Sequence, residues 1–148
     1  MKRVALATAK ARARVRLARP SDIGPGAPAQ GELASHLVLP SLDVAAIRHY
    51  CEQRVPPHAL HQVRIEADVA ERTVTVMECR APWREDYGPQ WTRRGIARFR
   101  YIAKYWHWTL YWSDRNQRWH KYDLIAPSPD VPTLLDELDR DPTCIFWG

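Results

Sequence analysis

The chain has 148 residues, 45% hydrophobic and 26% charged, with a formal net charge of +5, a composition ordinary for a globular protein and a length that suits one domain. No run approaches the roughly 18 consecutive apolar residues of a membrane-spanning helix. Cys51, Cys79 and Cys144 are too scattered for a disulfide framework or a C-x-x-C metal pair, so a soluble, cytoplasmic protein without a membrane partner is expected.

The charge is uneven. Residues 1–35 carry seven basic side chains (Lys2, Arg3, Lys10, Arg12, Arg14, Arg16, Arg19) against Asp22 and Glu32, and residues 36–148 sum to zero. The pI of 9.4 therefore belongs to the N-terminal arm and does not by itself make the body a nucleic-acid binder. The arm reads as disordered: residues 1–19 lack an apolar period, and Pro20, Gly24, Pro25, Gly26, Pro28 and Gly31 break any helix that follows. It is too weakly apolar for a secretory signal. Its composition suits a transit-type segment, a basic tail on phosphates, or translation upstream of a start near Leu37 or Val38. The division expected is an arm, 1–35, and a single α+β domain, 36–148.

In the body, Ser41 or Asp43 is expected to cap a helix over 41–54, with Val44, Ile47, Tyr50, Cys51 and Val55 on one face and Pro56-Pro57 stopping it. Residues 57–61 suit one short turn. Val63, Ile65, Ala67 and Val69 alternate with Arg64, Glu66 and Asp68, the period of a strand with one buried face. Residues 73–77 are a second β-branched run, and the short 70–72 link makes a hairpin. Residues 81–95 read as a loop. A third strand alternates Ala97, Phe99 and Tyr101 with Arg98 and Arg100.

Strands over 106–112 and 118–124 are joined by turn residues 113–117. Their register is open. A three-residue loop with Asn116 left-handed puts His120, Tyr122 and Leu124 beside Trp108, Leu110 and Trp112; an even loop puts Trp119 there. Val131, Leu134, Leu135 and Leu138 share the face of a last helix capped near Asp130, and the apolar tail 144–147 is expected to dock on the body. The sum is an α+β fold: a five-stranded antiparallel meander with a helix at each end, both helices covering one face.

Five stretches carry a resemblance: Arg54-Val-Pro-Pro-His58, Ala81-Pro-Trp-Arg-Glu-Asp-Tyr-Gly-Pro-Gln-Trp91, Trp108-Thr-Leu-Tyr-Trp-Ser-Asp-Arg-Asn116, Trp119-His-Lys-Tyr-Asp123 and Asp141-Pro-Thr-Cys-Ile-Phe-Trp-Gly148. From about Pro40 to Gly148 the chain resembles domain of unknown function 3024, a bacterial and mainly actinobacterial family. The resemblance implies bacterial origin and a small stand-alone protein. It implies no catalytic or binding residues.

The residues themselves offer four kinds of chemistry. Twelve of 15 aromatics fall within 83–122, and residues 72–121 carry 11 basic against four acidic side chains. Rings that stack on bases and guanidinium groups that meet phosphates are the means of binding single strands. The candidate binding residues are Trp83, Tyr87 and Trp91 of the loop with Arg93, Arg94, Arg98, Arg100, Arg115 and Arg118. The opposing observation is segment 122–148, with six acids and one base, which would neutralise the basic sheet. A metal-dependent nuclease is the enzymatic alternative: Glu66, Asp68 and Glu78 are similar in layout to the carboxylates of restriction-type nucleases, although Arg80 stands where a lysine belongs. His49, His58, His61, His107 and His120 meet no zinc spacing, so no metal or cofactor is implied. Cys79 beside Arg80 is a weak candidate for a reactive thiolate.

The expectation is thus a non-enzymatic binding module, its partner a single-stranded nucleic acid or nucleotide, or else another protein. A third reading is self-association through Trp147 and the acidic last helix.

Overall fold

Apolar side chains at alternate strand positions, and at three- and four-residue spacing in the helices, collect on one side of a sheet. The computed structural model describes residues 38–148. Helix α1 (Ser41–Gln53) leads through a 3-10 turn (Pro57–Ala59) to strands β1 (Val63–Val69), β2 (Thr73–Arg80), β3 (Thr92–Ile102), β4 (His107–Ser113) and β5 (Trp119–Lys121), and helix α2 (Val131–Arg140) closes the order. The strands pair antiparallel in chain order, so the expected α+β meander is the observed fold. The reading of residues 1–35 as a disordered arm lies outside the described residues.

The core forms where Val44, Ile47 and Cys51 of α1 and Val131, Leu134, Leu135 and Leu138 of α2 meet the sheet side chains Val74, Val76, Phe99, Trp108 and Leu110. Among the described residues, neither helix covers the other face.

Two anchors tie the first helix and the C-terminal tail to this core. Asp43 does not cap α1, whose N-cap is Pro40 with no side-chain hydrogen bond. It accepts instead from the Trp108 indole Nε1–H at 2.8 Å, because a buried indole needs a partner for its N–H. At the other end Asp141 takes a left-handed conformation (φ 38°). Its carboxylate accepts from the backbone N–H groups of Ile145 at 2.9 Å, Phe146 at 3.2 Å and Trp147 at 2.8 Å. That folds the tail back, buries Phe146 and lets Trp147 Nε1–H donate to the Leu138 carbonyl at 3.0 Å. The tail docks as expected, except that Cys144 is exposed.

Three further expectations need correction. Residues 92–95 are strand, not loop. The fifth strand ends at Lys121 rather than running to 124: Tyr122 still donates its backbone N–H to the Leu110 carbonyl at 2.9 Å, but the chain then leaves, rejoining the β4 edge only where Ser128 pairs with Trp108. Leu124 is consequently exposed. The β4–β5 loop is the three-residue kind, with Asp114 bonded to Arg118, but the left-handed residue is Gln117 (φ 60°), not Asn116. His120 therefore faces inward opposite Trp112, and Trp119 faces outward.

Candidate functional site

The open face follows from register. Opposite the buried row, β1 contributes Arg64, Glu66 and Asp68, β2 Thr75 and Cys79, β3 Arg93, Gly95, Arg98 and Arg100, β4 Thr109 and Tyr111, and β5 Trp119 and Lys121. Five cations meet two carboxylates there. Among the described residues only Arg93 of the five is ion-paired, to Glu66 at 3.6 Å, an exposed pair of little energetic weight.

A bulge decides which arginines share this face. Val76 pairs with Ala97 but Met77 with Gly95, leaving Ile96 as the extra residue of β3. Ile96 and Ala97 are both buried, and the alternation of β3 reverses at that point. Strict alternation from Arg98 and Arg100 would have added Arg94. With the bulge, Arg93 joins them, and Arg94 lies opposite Glu78 on the other face.

Gly95 sets the position of Trp119. A Cβ there would lie 2.6 Å from Trp119 Cζ2, so the indole rests directly on the glycine backbone. Gln117 Oε1 accepts the Gly95 N–H at 3.1 Å. Arg98 lies over this ring at 4.3 Å and donates from Nε to Thr75 Oγ1 at 3.0 Å. Burial lowers the affinity of its guanidinium for the proton, an effect that nearby Asp68 opposes. Arg64 lies over Trp91 at 4.3 Å in the same manner. The result is two guanidinium–indole pairs on the face, with Arg100 exposed between the strands.

The remaining predicted residues gather at one end of the sheet. The 81–91 loop and the β4–β5 turn lie at the same end, since Arg80 pairs with Thr92 and Ala97 with Trp112. Arg115 and Arg118 are exposed in that turn. In the loop, the 3-10 turn Glu85–Tyr87 ends at Gly88, whose φ of 82° suits glycine. Trp83 and Tyr87 are 77% and 65% exposed and stack on one another with centroids 5.6 Å apart. They form one wall of a cleft of about 610 Å³ that Gln62, Arg80, Gln90 and Thr92 also line. Arg80 donates to Glu78 Oε1 at 2.7 Å.

The carboxylates of the nuclease alternative do not converge. Glu66 and Asp68 point to the open face, whereas Glu78 stands opposite Ile65 on the other and is taken by Arg80. Among the described residues no three His, Cys, Asp or Glu side chains come together as a metal site. Cys79 is buried on the opposite face from Arg80, and burial, with Glu66 adding to it, raises its thiol pKa, so the reactive-thiolate reading falls as well. Trp147, offered for self-association, is occupied within the chain by Leu138 and by Arg54, 4.2 Å over its ring.

The sequence reading passed over Arg64, Thr75, Gln62, Gln90 and Lys121. Arg64 was accessible: its alternation with Ile65 places it on the face of Arg98 once a meander is assumed. The glutamines carry no periodic signal.

A family model described as Domain of unknown function (DUF3024) matches residues 35–148. No curated protein and no solved structure matches the chain. No helix among the described residues is long and apolar enough to cross a membrane.

Proposed function

The chain belongs to the DUF3024 family, and we propose that it is a non-enzymatic binding module whose open sheet face holds single-stranded nucleic acid. The observation that supports this is the open face itself: Arg64, Arg93, Arg98, Arg100 and Lys121 on one side of the meander, two of them stacked on exposed-side indoles. A guanidinium over a ring, here at 4.3 Å, can still donate N–H groups to phosphate oxygens and meet a base. The acidic segment 122–148 does not cancel this charge on the face, because register and the bridge at Ser128 carry it along the β4 edge and into α2, which packs on the helix-covered side. A bacterial cytoplasmic setting belongs to the same reading, with three free cysteines in the described residues.

The test is a titration of the full chain with a short oligonucleotide at two salt concentrations, read by tryptophan fluorescence. Wild-type protein is expected to bind with an affinity that falls as salt rises. Charge reversal of Arg98 and Arg100 is expected to reduce the slope of log affinity against log salt by about 1.4, two phosphate contacts at ~0.7 each for a single strand. An unchanged slope would show that neither arginine meets phosphate and would overturn the open face as the binding surface.

A further inference from the structure

We infer that the cleft beneath Trp83 and Tyr87 is a base pocket, taking one unstacked, uncharged heteroaromatic ring at the sheet end where β2 passes into β3. The inference deepens the single-strand reading and rests on it for the identity of the ring as a nucleobase.

Four observations converge. The volume of about 610 Å³ lies in the range that holds small-molecule ligands, roughly 300–1,000 Å³. One wall is a stacked indole–phenol pair left mostly exposed, although burial of such rings normally contributes to a core; stacking an inserted ring on them removes that surface from water. The polar lining is amide and hydroxyl: Gln62 and Gln90, both exposed, each carry a donor and an acceptor on one planar group, and Thr92 adds a hydroxyl. That is the complement of a base edge. Finally, the only charged side chain of the lining, Arg80, is already paired with Glu78 at 2.7 Å. The cleft thus suits a neutral planar group, and phosphate is better met by the cations of the open face.

The arrangement also explains the loop. Gly88 in a positive-φ conformation closes the 3-10 turn by donating its N–H to the Glu85 carbonyl at 3.1 Å, and this fixes Tyr87 one residue before the bend. Arg84 lies 4.8 Å over Trp83, holding that indole in place. The β4–β5 turn with Arg115 and Arg118 lies at the same sheet end.

The experiment uses the full chain with adenosine and cytidine, which carry no phosphate, and reads saturation transfer by NMR from protein to the base protons. Transfer to at least one base is expected, insensitive to salt. Tyr87→Ala is expected to weaken it roughly 5- to 150-fold, the range for loss of one stacking ring, and Gln90→Ala to change the preference between the two nucleosides. Both side chains are exposed, and a denaturation midpoint equal to wild type shows that the fold survives. Absence of transfer at millimolar nucleoside, or transfer untouched by both variants, overturns the pocket. If oligonucleotides bind with the expected salt slope while nucleosides do not, the pocket alone is wrong. If nucleosides bind and oligonucleotides do not, the pocket stands as a heteroaromatic site and the single-strand reading is the part that fails.

Discussion

Trp108 and Trp119 sit on neighbouring strands of one sheet and face opposite ways. Trp108 is completely buried, its indole N–H held by Asp43 and its ring 5.0 Å from that of Tyr101. Trp119 is half-buried on bare backbone at Gly95 and lies beneath a guanidinium. One ring is surrounded by helices, and the other by arginine and solvent. The difference teaches that the aromatic richness of 83–122 is two populations, a core and a surface, which composition cannot separate and which strand register does.

Substitutions on the two sides should therefore differ in kind. The largest expected effect is Trp108→Ala, which empties the centre of the core and removes the partner of Asp43; it should destabilise the protein by about 3–5 kcal/mol in chemical denaturation. Loss of under 1 kcal/mol would mean that this face is not the core the contacts describe. Next is Gly95→Ala. Its Cβ would press on the end of the Trp119 ring, at an expected cost of about 1–3 kcal/mol with a red-shifted indole emission as the ring lifts. If neither changes, the position of Trp119 does not depend on Gly95.

Two titrations sharpen the same contrast. Burial, then the hydrogen bond to Glu137 at 2.9 Å, pushes the inward-facing Tyr122 phenol up to about 12. Its folded value lies above the ordinary 10.0, so this contribution is whole below pH 10 and is lost as pH rises towards 12. Tyr122→Phe should flatten the alkaline limb of a stability-against-pH curve. At the exposed turn, Asp114 is held at about 2, chiefly by its hydrogen bond with His120 and by the N–H of Arg118. Being lowered, it contributes above about pH 4 and is lost as pH falls towards 2. Turn amide signals should report the acid change first, with Asp114→Asn removing it.

The legible parts were those with a period. Ala97, Phe99 and Tyr101 against Arg98 and Arg100 announced the third strand and its two faces, and Val131, Leu134, Leu135 and Leu138 announced the last helix. What escaped was set by single contacts without a local signature. The bulge at Ile96 exchanged Arg94 for Arg93, and nothing in Thr92-Arg-Arg-Gly95 marks an extra residue except the glycine itself. The hairpin register, left open between two loops, was decided by tertiary fit: Tyr122 reaches Glu137, and Trp119 finds the one residue of β3 with no side chain. Of the candidate binding residues, Arg93, Arg98 and Arg100 share a face, Trp91 joins them through Arg64, and Trp83 and Tyr87 belong to a cleft formed by residues distant in sequence. No periodicity could have brought Gln62 to Gln90.

The most direct test of the claim that one face folds the protein and the other binds is a paired measurement on Arg98→Glu/Arg100→Glu: denaturation midpoint and oligonucleotide affinity on the same sample. Stability is expected to change by no more than about 1 kcal/mol, the scale of an exposed cation–π contact, and affinity to weaken roughly tenfold or more at moderate salt. Unchanged affinity would contradict the assignment of binding to this face, and unfolding would show that the open face is part of the core.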